Sequence, residues 1–149
     1  MSELEALHTV LFLCTGNYYR SRFAELYFNA LAPGRGLLWR AESRALRVNP
    51  ANPGPISRQT VLWLQQRGIA LPPVHRFPIQ VQEEDLKSAC LVVAVKEAEH
   101  RPLLELHFPA WADKVEYWHV HDPDCALPDD ALPDLAAKVG TLLERLRRP

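Results

Sequence analysis

Cysteine is scarce in this chain: three residues in 149, an odd number with no framework spacing. That speaks against a secreted scaffold stapled by disulfides and for an intracellular protein with free thiols. Long hydrophobic runs are missing too. The longest unbroken apolar stretch, Ala89–Val95, is far too short to cross a bilayer. The opening residues, Met-Ser-Glu-Leu-Glu-Ala-Leu-His, lack the basic start and apolar stretch of a secretory signal. Excess charge is also absent, since 17 basic and 18 acidic residues leave a net −1. With no basic-aromatic motif beside it, that balance argues against nucleic acid or an acidic membrane as partner. Lysine is missing from residues 1–80, where all nine basic residues are arginine against four acidic ones. The remainder holds eight basic and fourteen acidic residues, so +5 faces −6. An arginine-only basic half suits a small anion, because the guanidinium fork matches phosphate oxygens.

What is present points to one globular domain spanning residues 1–149, with 48% hydrophobic residues and no repeat, linker or low-complexity tract. Val10–Cys14 is apolar on both faces, as a buried parallel strand requires. Ser21 opens a helical stretch with apolar positions at Phe23, Ala24, Tyr27, Phe28 and Leu31, closed by Pro33-Gly34. Leu37–Ser43 reads as a weaker strand, and the proline-rich Asn49–Pro55 as loop. Ser57–Gln66 reads as helix ending at Gly68. An acidic turn, Glu83-Glu84-Asp85, precedes a second buried strand, Cys90–Val95. Pro102 is expected in the first turn of the next helix, which should stop before Pro109. Val115–Val120 alternates weakly. Leu132, Leu135, Ala136, Val139, Leu143 and Leu146 form one helical stripe. Strands alternating with helices indicate an α/β domain with a mostly parallel sheet.

In such a sheet, ligands bind where strands end and helices begin. The first junction reads Cys14-Thr15-Gly16-Asn17-Tyr18-Tyr19-Arg20-Ser21. Gly16 and Asn17 tolerate the backbone that lets successive N–H groups converge on an anion, and the helix N-terminus adds positive potential there. A thiol in that field beside Arg20 is expected to ionise easily; thiols so placed reach pKa values of roughly 3.5–7.5. A thiolate in a phosphate-sized nest is a nucleophile aimed at phosphorus. Its partner must protonate the leaving oxygen, and Asp122 is the candidate. It follows the last expected strand, on the same sheet edge as Cys14, and Pro123 keeps it extended.

Cys14 to Ser21, continuing into Ala24-Glu25, resembles the phosphate loop of the low-molecular-weight protein tyrosine phosphatases. Glu42-Ser43-Arg44-Ala45, Arg67-Gly68-Ile69 with His75-Arg76, Glu84-Asp85-Leu86, and Trp118 to Pro123 are similar to further segments of that family, in order and spacing, from about residue 8 to 145. The resemblance implies a three-layer α/β/α fold around a central four-stranded parallel sheet. It also implies a cysteine-dependent phosphomonoesterase, a protein tyrosine phosphatase by family, working through a cysteinyl-phosphate. Cys14 would attack phosphorus and Asp122 would act as acid and then base. The amides of Thr15, Gly16, Asn17, Tyr18, Tyr19 and Arg20, with the Arg20 guanidinium, would hold the phosphate. Ser21 would donate to the thiolate, and Ser43 and His75 would brace Asn17. No metal or other cofactor is required. The expected substrate is a phosphorylated protein or small phosphomonoester, and the expected form a cytoplasmic monomer or weak dimer.

Several positions depart from the family. Tyr18-Tyr19 stands where a small or aliphatic residue and a second cysteine are common, which removes the usual disulfide protection of the nucleophile. Arg22 replaces a proline after the serine. Asp124-Cys125 stands where aromatic residues grip phosphotyrosine in eukaryotic members, so acidic phosphopeptides are expected to be poor substrates. The substrate itself stays open between phosphotyrosine, phosphoarginine and a small phosphomonoester. A phosphate-binding module without turnover is the alternative from another class. Arsenate reduction by a disulfide cascade needs two more cysteines near the far end of the third strand, where this chain has Ala94-Val95-Lys96. A metal site at His119, His121, Asp122, Asp124 and Cys125 has suitable spacing but no supporting cluster elsewhere.

Overall fold

A computed structural model describes residues 7–120 and 128–147 of the chain. In order it contains β1 (His8–Cys14), α1 (Arg20–Leu31), a 3-10 turn (Pro33–Arg35), β2 (Trp39–Ala45), α2 (Arg58–Gln66), α3 (Glu83–Ser88), β3 (Leu91–Ala94), α4 (Glu97–His107), β4 (Glu116–Tyr117) and α5 (Pro128–Leu146). The four strands form one parallel sheet in the order β2-β1-β3-β4.

Period-two alternation along β1 sorts its residues between two cores. Val10, Phe12 and Cys14 face one layer, packed with Phe23 and Phe28 of α1, Leu64 of α2, and Leu132, Leu135, Val139 and Leu143 of α5. Leu11 and Leu13 face the other, with Leu86 of α3, Leu104 of α4 and Val92 and Ala94 of β3. Both faces of the sheet are thus covered, which is why β1 and β3 read as continuous apolar runs. The outcome is the expected three-layer α/β/α arrangement with four parallel strands.

Sheet order also locates the site. From β1 the chain crosses to β2 on one side and later to β3 on the other, so the topology switches at β1. The crevice at such a switch lies beyond the carboxyl end of the strand. That end is Cys14, paired in register with Ala45 of β2.

Three local expectations need correction. Glu83-Glu84-Asp85 is not a turn but the first turn of α3, where Asp85 Oδ2 accepts a hydrogen bond from the Gln82 amide at 2.8 Å. Carboxylates suit the positive end of a helix, so an acidic cluster and a turn look alike in sequence. Pro102 lies in the interior of α4, five residues after its start. His100 and Leu104, both fully buried, carry the helix through the proline; packing outweighs local propensity here. Strand β2 begins and ends two residues later than expected, because its pairing with β1 runs from His8↔Trp39 to Cys14↔Ala45.

Candidate active site

The loop leaving β1 turns back through Asn17, whose φ of +52° is left-handed, and enters α1 at Arg20. Asparagine is among the few side chains at ease in that conformation. The turn brings the Asn17 amide to 3.3 Å from Cys14 Sγ, and Ser21 Oγ to 3.0 Å from the same atom. The first turn of α1 faces the loop, so its unpaired amides add to the convergence.

Asn17 is fully buried and its side chain is saturated. Its Nδ2 donates to Ser21 Oγ at 2.8 Å and to Ser43 Oγ at 2.9 Å. Its Oδ1 accepts from Arg76 Nη1 at 3.0 Å and from the Ile79 amide at 3.1 Å. Ser21 Oγ accepts from Asn17, which leaves its hydroxyl proton available to the sulfur.

The support for Asn17 differs from expectation in one residue. Ser43 Oγ accepts from Asn17 Nδ2, and the bond to Asn17 Oδ1 comes from Arg76, the residue after His75. Arg76 Nη2 also donates to Glu25 Oε1 at 3.1 Å and to Ser43 Oγ at 3.0 Å, while the Ser43 hydroxyl donates to Glu25 Oε1 at 2.5 Å. The reason lies in the backbone: the loop runs beside the end of β2, pinned by Ala45 N to Ile79 O at 2.7 Å and Val81 N to Ala45 O at 2.8 Å. That course presents Arg76 to Asn17. His75 is half-buried instead, and burial, with the charge of Arg22, lowers its pKa from the ordinary value. Replacing Arg76 with Ala leaves Glu25 and the Asn17 oxygen short of a partner. We expect about 1–3 kcal/mol lost from the urea unfolding free energy, and turnover reduced by about tenfold as Asn17 loosens.

Arg20 is almost fully buried. Its Nη1 donates to the Val120 carbonyl at 3.0 Å and its Nη2 to Glu99 Oε2 at 3.0 Å. Glu99, from the first turn of α4, also accepts a hydrogen bond from the Thr15 hydroxyl. Contact with His100, then with Thr15 and Arg20, holds the Glu99 carboxyl well below the usual carboxylate range despite its burial. Val120 lies two positions before Asp122; Asp122 itself, with Pro123, Asp124 and Cys125, is outside the described residues.

On its other side the loop meets the proline-rich segment. Tyr18 Oη donates to the Pro53 carbonyl at 2.6 Å, Arg22 Nη1 to the Pro55 carbonyl at 2.9 Å, and the Ser57 amide to the Tyr18 carbonyl at 2.9 Å. Burial, and then the nearby charge of Arg76, lower the Arg22 pKa to about 10. Tyr18 and Arg22 therefore strap a wall to the phosphate loop. Tyr19 instead turns into the core. Between loop, wall and α4 lies an open cavity of about 370 Å³, reached by Cys14, Gly16, Tyr18, Arg20, Asn52 and Glu99.

Sequence reasoning missed Arg76, Glu25 and Glu99. Arg76 and Glu25 lie in motifs already noted, whereas Glu99 carries no local signal. Cys90 lies at the far end of the sheet from Cys14, its amide bonded to the Thr9 carbonyl at 2.8 Å, so the two thiols cannot meet. His119 is exposed, and the other residues of the metal spacing lie outside the described residues.

Known proteins resemble this one in both sequence and fold. A protein-arginine-phosphatase of Bacillus subtilis (strain 168) is 32% identical over 106 residues, which are 71% of this chain and 67% of that protein. The low molecular weight protein tyrosine phosphatase of T. tengcongensis superposes with a TM-score of 0.73 at 31% identity, covering 93% of this chain and 97% of that one. A mutant of YwlE from Bacillus subtilis gives a TM-score of 0.79 at 25% identity, covering 95% and 99%. The family model for low molecular weight phosphotyrosine protein phosphatases matches residues 9–146. With that match over nearly the whole length, the chain belongs to this family and is a cysteine-dependent phosphoric monoester hydrolase.

Proposed function

We propose that the protein dephosphorylates protein side chains in two steps on Cys14. The observation that carries this reading is a sulfur at a strand end that receives Ser21 Oγ at 3.0 Å and the Asn17 amide at 3.3 Å. In the first step Cys14 attacks phosphorus in line, the phosphorus–oxygen ester bond breaks, and Asp122 gives its proton to the departing oxygen. In the second, Asp122 takes a proton from water as that water displaces Cys14 from the cysteinyl-phosphate. The amides of residues 15–20 and the Arg20 guanidinium bind the equatorial oxygens, most tightly as charge spreads in the transition state. Ser21 stabilises the leaving sulfur in the second step, and Asn17, held by Ser43 and Arg76, keeps the loop shaped. Arg20 and the amides supply the neutralising charge, so the scheme uses no metal.

Phosphotyrosine is the substrate that family membership favours. Phosphoarginine is a second reading with its own support. The cavity wall beyond the loop carries Asn49, Asn52, Gln59 and Glu99, polar groups that suit a guanidinium better than a phenol ring, and the B. subtilis relative is an arginine phosphatase. A cytoplasmic location suits an unprotected nucleophilic thiol; among the described residues no helix is long and apolar enough to cross a membrane. The test compares kcat/KM on three peptides under reducing conditions: neutral phosphotyrosine, acidic phosphotyrosine and phosphoarginine. The neutral phosphotyrosine peptide is expected to exceed the acidic one, because Asp124 repels a second negative charge. Equal rates on those two remove Asp124 from the account, and faster turnover of the phosphoarginine peptide replaces the first reading with the second.

A further inference from the structure

The first turn of α4 carries two carboxylates, and they behave differently. Glu97 pairs with Arg101 one turn on, at 2.9 Å, as an acid at a helix start commonly does. Glu99 turns inward to the phosphate loop. Its Oε2 accepts from the Thr15 hydroxyl, next to the nucleophile, and from Arg20 Nη2 at 3.0 Å, so one oxygen ties the two ends of the loop together. A third group approaches that oxygen from behind. His100 is fully buried, its Nδ1 accepts the Lys96 amide at 3.0 Å, and its Nε2 lies 3.4 Å from Glu99 Oε2. With Nδ1 occupied as an acceptor, Nε2 is the nitrogen left facing the carboxylate.

The consequence concerns Arg20. A guanidinium is planar and rigid, so two anchors on different nitrogens fix its plane as well as its position. The Val120 carbonyl holds Nη1 and Glu99 holds Nη2. Those two bonds use two of the five N–H groups, and they orient the whole fork before any phosphate arrives. The same carboxylate places negative charge beside a site for a dianion. Orientation and repulsion therefore oppose each other at this residue, and they can be separated by experiment.

We infer that Glu99 is a positioning residue of the phosphatase reaction: it aims the Arg20 guanidinium and braces the loop at Thr15. The inference rests on the reading of Arg20 as the phosphate-binding group. An amide in place of the carboxylate keeps an oxygen for Thr15 and Arg20 but drops the charge, whereas alanine drops both.

The experiment measures kcat and KM on p-nitrophenyl phosphate and the inhibition constant of inorganic phosphate, for wild type, Glu99→Ala, Glu99→Gln and Glu97→Ala. Thermal unfolding checks that each variant is folded. Glu99→Ala is expected to lower kcat by about tenfold or more and to weaken phosphate inhibition by about tenfold, because the binding fork is no longer pre-oriented. Glu99→Gln should recover both to within about threefold of wild type. Glu97→Ala, which removes an equivalent helix-start acid, should leave both unchanged. Wild-type kinetics in Glu99→Ala would overturn the inference. So would tighter phosphate binding in both Glu99 variants, since the carboxylate then acts only as a competing anion. A chain that binds phosphate with this pattern yet turns nothing over would instead sink the two-step reading and leave standing the orientation of Arg20 by Glu99.

Discussion

Cys14→Ser is expected to lose at least about 10⁴-fold in turnover of p-nitrophenyl phosphate, while still binding inorganic phosphate. The thiol and the hydroxyl differ little in size, so the loop keeps its shape. What changes is the nucleophile. Among the described residues, the groups within hydrogen-bonding distance of Cys14 Sγ are Ser21 Oγ and the Asn17 amide. The Asn17 amide is a donor and the Ser21 hydroxyl is not a base. A serine hydroxyl at this position has nothing to take its proton, so it remains a weak nucleophile. Phosphate affinity depends on the amides and on Arg20, which the substitution leaves alone. A variant that retained wild-type turnover would show that Cys14 is not the attacking group.

Arg20→Lys is expected to cost about 10²–10³-fold in kcat, although the charge is kept. The guanidinium holds the Val120 carbonyl with one nitrogen and Glu99 with another, 3.0 Å each, and remains a flat, forked donor toward the site. Lysine is a point charge on a flexible stem. It cannot satisfy Val120 and Glu99 together and still present paired donors to two equatorial oxygens. The loss should fall mainly on kcat, because the fork matters most when charge has spread over those oxygens. A loss confined to KM, with kcat intact, would mean that Arg20 only attracts the substrate.

Much of this architecture is written plainly in the residues. Val10–Cys14 and the strand ending at Ala94 are apolar on both faces, and only a sheet covered on both sides can bury them. The stripe from Leu132 to Leu146 needs one apolar neighbour, and the sheet supplies it. The boundaries that moved are those fixed by distant partners. Strand β2 is set by its register against β1, and the start of α4 by the burial of His100 and Leu104.

The same division holds at the site. Cys14, Asn17 and Ser21 are neighbours in the chain, so their meeting follows from one strand–loop–helix junction. Ser43 follows from β2 lying beside β1. Arg76 rather than His75 reaches Asn17 because the loop of residues 75–81 runs along β2, a path set by the Ala45 hydrogen bonds. No local pattern encodes that path. Glu99 is further still from any motif: an acidic residue at a helix start has an ordinary explanation, and its turn toward Thr15 and Arg20 appears only in three dimensions.

The claim on which all else depends is that phosphate passes through a bond to Cys14. Asp122→Asn should slow the release of that group as well as its formation, so an acid quench during turnover of p-nitrophenyl phosphate should catch it, and mass spectrometry of the digested protein should locate it. The account predicts one phosphoryl group on the peptide carrying Cys14, attached through its sulfur. Steady turnover with no phosphoryl group on that peptide, or with the group on another residue, would contradict it.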